Sequence, residues 1–186
     1  MKMDEEQMEG LCLPLMKWKQ EAFAMGERDV PPQLAIQFDG KEELEPVPDW
    51  ILSKAYRKTG TVGGAVSLVL RGIAEGWSEF TKFRMVMLVT DGYMRSGVQD
   101  EDMPERGAMG EDFRSNPATD VIECMTLTVA TDDLVGGYDM ALAQMPYVVT
   151  DGGVMDFKET KYILDSDDVG GDVVDQLRAV LNAVSG

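Results

Sequence analysis

Carboxylates are the side chains with which this sequence could do chemistry, because it contains no histidine. The chain carries 34 Asp and Glu residues and 17 Lys and Arg residues, but no His. This excludes Ser-His-Asp and Cys-His catalysis, histidine-ligated zinc and two-His iron sites. The sequence also has no Gly-x-Ser-x-Gly motif and no glycine-rich loop that ends in Lys-Ser or Lys-Thr. Because no catalytic set is complete, we predict that the protein is not an enzyme.

The excess of carboxylates is concentrated in the second half of the chain. The formal net charge is −17. Residues 1–98 contribute −3, from 15 acidic and 12 basic side chains, and residues 99–186 contribute −14, from 19 and 5. Such a charge repels duplex nucleic acid and anionic membranes, and it suits a basic protein surface or a divalent cation. We therefore predict a non-enzymatic, acidic protein-interaction module. The alternatives are a divalent-metal-dependent binding or hydrolytic domain, and acidity that serves only solubility.

Two acidic segments, residues 96–118 and 165–175, are where we expect the contact with a basic partner. The first is too long for an ordinary connection, so it is either functional or mobile. The partner could be a DNA- or RNA-binding protein that this chain blocks as a nucleic-acid mimic, or a component of an assembly. The acidic residues that we expect at the contact are Asp100, Glu101, Asp102, Glu105, Asp165, Asp167 and Asp168.

One stretch of the second segment, residues 165–170, resembles the start of an EF-hand calcium loop. That loop needs an oxygen ligand at its fifth position and a Glu at its twelfth. This chain has Val169 and Gln176 at those positions. We therefore interpret the stretch as an acidic loop that leads into a helix N-terminus, where negative charge is favourable. Weak calcium binding stays open.

Two motifs in the first half point to a different kind of site. Residues 59–65, Thr-Gly-Thr-Val-Gly-Gly-Ala, precede a predicted helix, and residues 88–92, Leu-Val-Thr-Asp-Gly, end a predicted strand. Together they resemble the von Willebrand A domain over residues 59–95. The resemblance implies a site for Mg²⁺ or Ca²⁺ held by Asp39, Asp91 and Thr61. The chain departs from the family at its first strand, where Asp39 is followed by Gly-Lys-Glu instead of alternating serines.

An amphipathic helix is predicted near the N-terminus, after the acidic residues 4–9. Its apolar positions recur every three or four residues, and Pro14 is expected in the first turn, where its missing N–H costs little. Gly26 would end the helix. The predicted apolar stripe consists of Leu11, Leu15, Trp18 and Ala22, with Lys17, Lys19, Gln20 and Glu21 between them.

The remaining pattern predicts a single α+β domain over residues 1–186. Alternating apolar residues predict a strand over 34–38, and an apolar run predicts a central strand over 83–93. The helices are expected to pack on a mixed or mostly antiparallel sheet of about five strands that ends in a β-meander. The other predicted elements are helices over 49–58, 61–77 and from Asp172 onward, meander strands over 120–131, 138–149 and 154–163, and a hairpin turn at 151–153. Residues 139–145 could also be helical, and Pro146 would place the strand over 138–149 at an edge or a bulge.

Two further observations concern compartment and origin. Cys12 and Cys124 each lie in an apolar stretch, which is typical of buried free thiols in a reducing cytoplasm. The N-terminus lacks a secretory-signal pattern, and no apolar run reaches bilayer-spanning length. The order of elements, carried by residues 86–95 and 116–153, is similar to that of small uncharacterised proteins of actinobacteria and their phages. That resemblance implies no established activity, but it favours an accessory protein of a phage or mobile element.

Overall fold

The computed structural model describes residues 2–27, 30–96 and 120–185. Within these residues it has four helices and seven strands, which confirms the predicted α+β class. In chain order the elements are α1 (Glu5–Ala24), β1 (Gln33–Phe38), β2 (Glu45–Pro46), α2 (Asp49–Thr59), α3 (Val62–Gly76), β3 (Phe83–Ser96), β4 (Asp120–Asp132), β5 (Tyr138–Val149), β6 (Met155–Phe157), β7 (Lys161–Ile163) and α4 (Asp172–Ser185). In this part of the chain, no helix combines the length and the apolar character that a bilayer crossing requires.

The strands form one antiparallel sheet in the order β2-β1-β3-β4-β5-β6, and β7 also pairs with β5. The predicted central strand is confirmed, because β3 lies between β1 and β4. The predicted meander is also present, but its last strand is divided. Residues 154–163 form two short strands, β6 and β7, which pair with successive parts of β5.

Alternation along the strands divides the apolar residues between the two faces of the sheet. On β3, Val86 and Leu88 belong to a core with α2, α3 and α4, whereas Met87 and Val89 belong to a second core with α1. The second core is rich in methionine, a flexible side chain that fills irregular gaps between packed elements. Its fully or nearly buried methionines are Met3, Met8, Met87, Met125, Met145 and Met155.

Helix α1 differs from its prediction in both its start and its buried face. It begins inside the acidic lead, because Asp4 caps it in a reciprocal capping box with Gln7, and Pro14 therefore lies in the helix interior rather than in the first turn. Trp18 of the predicted stripe is 36% exposed. The buried residues of the helix are Met8, Cys12, Lys19 and Ala22. The buried face is thus rotated toward Lys19, which was expected to point into solvent.

The Thr-Asp-Gly motif of β3 does not end the strand, contrary to the prediction. Asp91 pairs with Met125 and Gly92 pairs with Cys124, and the strand continues to Ser96. The reason is the length of β4, which supplies partners for every residue from Met85 to Ser96. The other predicted Asp-Gly turn is confirmed, because Gly153 has a φ of +73° and its N–H donates to the Thr150 carbonyl at 2.8 Å.

Candidate protein-interaction site

The acidic loop before α4 is held in one conformation by hydrogen bonds to its backbone and to Ser166. The Met140 N–H donates to Ser166 Oγ at 3.1 Å, which ties the loop to β5. The Arg178 guanidinium of α4 donates to the carbonyls of Ser166 and Val169 at 2.8 and 2.9 Å. Val169 is buried, with 1% of its surface exposed. The carboxylates of the predicted contact residues Asp165, Asp167 and Asp168 are all exposed on this fixed loop.

The turn between β4 and β5 is a second fixed and acidic structure. Asp133 Oδ1 accepts hydrogen bonds from the N–H groups of Val135 and Gly137, both at 2.8 Å. Asp132 Oδ1 accepts another from the Leu134 N–H at 3.2 Å. The bonds from Gly137 and Val135 lower the pKa of the Asp133 carboxyl below its ordinary value, because they stabilise its charged form. Two apolar side chains project from this turn: Leu134 is 77% exposed and Val135 is 88% exposed.

Leu134 has a backbone conformation that leucine rarely adopts. Its φ is +69°, in the left-handed region, and it is the only non-glycine residue with a positive φ among the described residues. The conformation costs about 1–2 kcal/mol for a residue with a Cβ. The hydrogen bonds from the turn to Asp132 and Asp133 offset that cost.

Both structures lie at the same end of the sheet. Asp139 follows the turn, and the next residue, Met140, holds the loop through Ser166. Lys82 Nζ is 2.5 Å from Asp132 Oδ2, and this hydrogen bond, with the charges of Asp132 and Asp39, raises the pKa of the lysine. We call this region the acidic end. Its carboxylates are those of Asp39, Asp132, Asp133, Asp139, Asp165, Asp167 and Asp168.

Sequence reasoning anticipated one part of the acidic end and missed another. It named Asp165, Asp167 and Asp168 as contact residues, but not Asp132, Asp133 or Asp139. The available signal was an Asp-Asp pair before Leu-Val-Gly-Gly between two predicted strands, which is typical of an aspartate-capped turn. The other predicted contact residues, Asp100, Glu101, Asp102 and Glu105, lie outside the described residues.

The three residues of the implied metal site are placed on separate elements. The Asp39 N–H donates to the Lys82 carbonyl at 3.1 Å, so Asp39 lies beside the start of β3. Asp91 lies nine residues farther along that strand, at a distance of about 30 Å. Thr61 caps α3, and its Oγ1 accepts from the Gly64 N–H at 3.1 Å. The structure does not bring Asp39 and Asp91 together, and the described residues contain no group of three or more carboxylates or cysteines placed to hold a metal.

Asp91 instead belongs to a buried polar cluster under α1. Lys19 Nζ forms an ion pair with Asp91 Oδ2, and the Tyr147 hydroxyl donates to Asp91 Oδ1 at 2.9 Å. The Lys19 ammonium also lies 5.4 Å from the centroid of the Tyr147 ring. The side chain of Lys19 is 0% exposed and that of Asp91 is 12% exposed. Lysine, aspartate and tyrosine could transfer protons, but a wholly buried ammonium cannot meet a substrate, so the cluster positions α1 on the sheet.

The two cysteines are free and buried, as predicted. Burial raises the pKa of each thiol from 9.0 to about 11. At neutral pH both thiols are therefore protonated, which makes them weak nucleophiles. They act as small apolar residues of the interior.

Comparison with protein-family models, with curated proteins and with solved structures finds no match to this chain. The fold and the site therefore define the protein only as an α+β domain with a rigid acidic end. A function has to be inferred from the geometry of that end.

Proposed function

We propose that the protein is a non-enzymatic interaction module whose acidic end binds a basic surface on another protein. One observation carries this proposal: Leu134 and Val135 project into solvent from a turn fixed by hydrogen bonds, at the end of the sheet that carries the exposed residues Asp165, Asp167 and Asp168. Exposed apolar side chains gain free energy only when a partner covers them. The partner surface that complements them is an apolar depression surrounded by lysine or arginine.

The rigidity of the turn supports a binding role. A flexible loop loses conformational entropy when it binds, whereas a turn that is already ordered does not pay that cost at the interface. The positive φ of Leu134 points the same way, because local backbone strain persists where the surrounding structure fixes it and is frequent at binding sites. A turn selected for stability alone would carry Gly or Asn at this position.

The charges around the turn would determine the choice of partner. The carboxylates of the acidic end attract a basic surface over several ångströms and repel nucleic acid and anionic membranes. This pattern fits a protein that blocks a nucleic-acid-binding protein by imitating its ligand, or a component of an assembly. The two free thiols fit a reducing cytoplasm, of the producing or infected cell. An accessory protein of a phage or mobile element belongs to the same proposal.

Affinity capture from a lysate of the producing cell, with three immobilised variants beside the wild type, tests the proposal. The first variant, Leu134→Ser with Val135→Ser, removes the apolar tip. The second, Asp165→Asn with Asp167→Asn and Asp168→Asn, removes three charges from the acidic end. The matched control removes three charges from exposed positions on α1, α3 and the segment after α3: Glu6→Gln, Glu75→Gln and Glu79→Gln.

We expect one basic protein to be captured by the wild type and by the control, and roughly 10-fold less of it by either acidic-end variant. Raising the salt concentration should weaken the capture, since the attraction is partly electrostatic. Equal capture by all four proteins, or capture indifferent to salt, would contradict the proposal. If acidity serves only solubility, the two triple variants will lose solubility to the same extent and no partner will distinguish them.

A further inference from the structure

A cleft of about 500 Å³ lies between β1, β2, α2 and α3. Its walls are apolar and come from these four elements and the segment that connects β2 to α2. They are formed by Ile36, Phe38, Val47, Ile51, Val69 and Ile73. A volume of this size is within the range of small-molecule sites, which run from about 300 to 1,000 Å³. Water in such a cleft finds few hydrogen-bond partners, so an apolar occupant would displace it favourably.

The rim of the cleft carries two cations in a chain of net charge −17. Lys54 and Lys58 lie one turn apart on α2, both exposed, and both line the cleft. Within the described residues neither lysine has a hydrogen bond or an ion pair. Glu45 is the acidic residue of the lining, and it pairs with neither of them. Two available ammonium groups beside an apolar cleft complement a ligand that has an anionic head and an apolar body.

Gly72 of α3 borders the cleft. It lines the cleft and is exposed, and a Cβ built on it would meet no atom within 4 Å. The space beside Gly72 is therefore open, and a larger side chain at this position would narrow the cleft.

We propose that this cleft binds a single-chain amphiphile with a carboxylate or phosphate head group. The apolar chain would lie between Ile51 and Ile73, beside Gly72, and the head group would lie at Lys54 and Lys58. Trp50, which is 67% exposed at the mouth of the cleft, would cover part of the chain. The proposal does not depend on the function proposed for the acidic end, because the two sites share no residue.

Isothermal titration calorimetry with four probes tests the inference. The three ionic probes are kept below their critical micelle concentrations, and dodecanol, which forms no micelles, is kept below its solubility limit. Sodium laurate and lauryl phosphate carry the proposed head groups and distinguish a carboxylate site from a phosphate site. Dodecanol has the same chain without charge, and dodecyltrimethylammonium has the opposite charge. We expect one molecule of an anionic probe to bind per chain, about 10-fold more tightly than dodecanol, because each lysine contributes an exposed ion pair. The cationic probe should bind more weakly still.

Three variants locate the binding. Lys54→Gln with Lys58→Gln should lower the affinity for the anionic probes to that for dodecanol, and should leave dodecanol binding unchanged. Gly72→Leu should fill the cleft and abolish binding of every probe, and Gly72→Ala should weaken it in part. The matched control is Gly10→Leu, because Gly10 also lies inside a helix with open space around its Cα, but outside the cleft.

Several results would overturn the inference. They are the absence of binding by the wild type, equal affinity for anionic and cationic probes, and unchanged binding by Gly72→Leu. Because leucine and alanine favour helix over glycine, both Gly72 variants should fold, and their thermal unfolding checks this. Probe-induced self-association of the chain, seen by sedimentation, would also count against a one-molecule site.

Discussion

The ion pair between Lys19 and Asp91 fixes α1 to the sheet, and Asp91→Asn tests how much it contributes. The substitution keeps the shape of the side chain but removes the carboxylate charge that faces the Lys19 ammonium, which is 0% exposed. Removing one partner of a buried ion pair costs about 3–5 kcal/mol. Because Asp91 is 12% exposed and water reaches it, we expect a loss of about 3 kcal/mol.

The assay is urea unfolding at pH 7, followed by far-ultraviolet circular dichroism, for a double-mutant cycle. Lys19→Met alone should cost less than Asp91→Asn, since Tyr147 still donates to the carboxylate and Met suits the methionine-rich core. The double variant contains no unpaired buried charge, so it should be about 2 kcal/mol more stable than the sum of the single changes predicts. Lys17→Met is the control, because Lys17 is exposed and its contact with Glu21 is 3.9 Å long; it should change stability by less than about 0.5 kcal/mol.

The reasoning is refuted if Asp91→Asn costs less than about 1 kcal/mol and the cycle is additive within about 0.5 kcal/mol. That result would mean that water or another group neutralises Lys19, and that apolar packing alone holds α1. A further check is salt. A buried pair is screened little, so the cost should be nearly the same at high ionic strength.

Three other predictions follow from the structure. Alkylation of Cys12 and Cys124 at pH 8 should be at least about 100-fold slower in the folded protein than in urea, since their pKa values are about 11 rather than 9.0. Equal labelling rates in the folded protein and in urea, measured by mass spectrometry, would contradict this prediction. The lowered pKa of Asp133 means that its hydrogen bonds stabilise the turn fully above the ordinary value of 3.8 and are lost as the pH falls through the lowered pKa. The amide resonance of Val135 should report that loss, and Asp133→Asn should remove the titration. Leu134→Gly should raise stability by about 0.5–1 kcal/mol in thermal unfolding, because glycine adopts a positive φ without strain. The same change should weaken partner capture. A loss of stability would contradict the assignment of strain to Leu134.

The parts of the fold that could be predicted depend on local patterns. The alternation in β1 and the apolar stripe of α3 identified both elements to within about two residues, because burial on one face imposes a period on the sequence. The turn at 151–153 was predictable for the same kind of reason, since Asp-Gly-Gly suits its backbone angles. Pro146 was expected at an edge or a bulge. Pro146 lies inside the sheet instead. Its carbonyl accepts from the Lys158 N–H at 2.8 Å, in the gap between β6 and β7. Because the nitrogen and the carbonyl of a strand residue face the same neighbour, the missing N–H of Pro146 removes no ladder bond to β4.

The candidate site could be predicted only in part, because it is assembled by contacts between distant residues. Lys19 and Asp91 are 72 residues apart, and a lysine in a helix is normally exposed, so the pattern assigned Lys19 to solvent. The resemblance to the von Willebrand A domain implied a metal ligand at Asp91 instead of an ion pair. The acidic end likewise joins Ser166 to Met140, 26 residues away. Local composition identified the loop at 165–168 as acidic. It could not show that the β4–β5 turn lies beside it.

The two proposed surfaces have opposite charges, which raises the question of whether one copy binds another. The cations of α2 and the carboxylates of the acidic end lie on different elements, so a contact between them would be head to tail, and such contacts form open chains unless their rotation closes a ring. Exposed ion pairs contribute only about 0–1 kcal/mol each and are screened by salt. We therefore expect a monomer at physiological ionic strength in sedimentation velocity. The chain could instead self-associate, and the association could be lost both in the Lys54→Gln, Lys58→Gln variant and in the Asp165, Asp167, Asp168 variant. That result would show that the two surfaces bind each other, and it would replace both proposals with one.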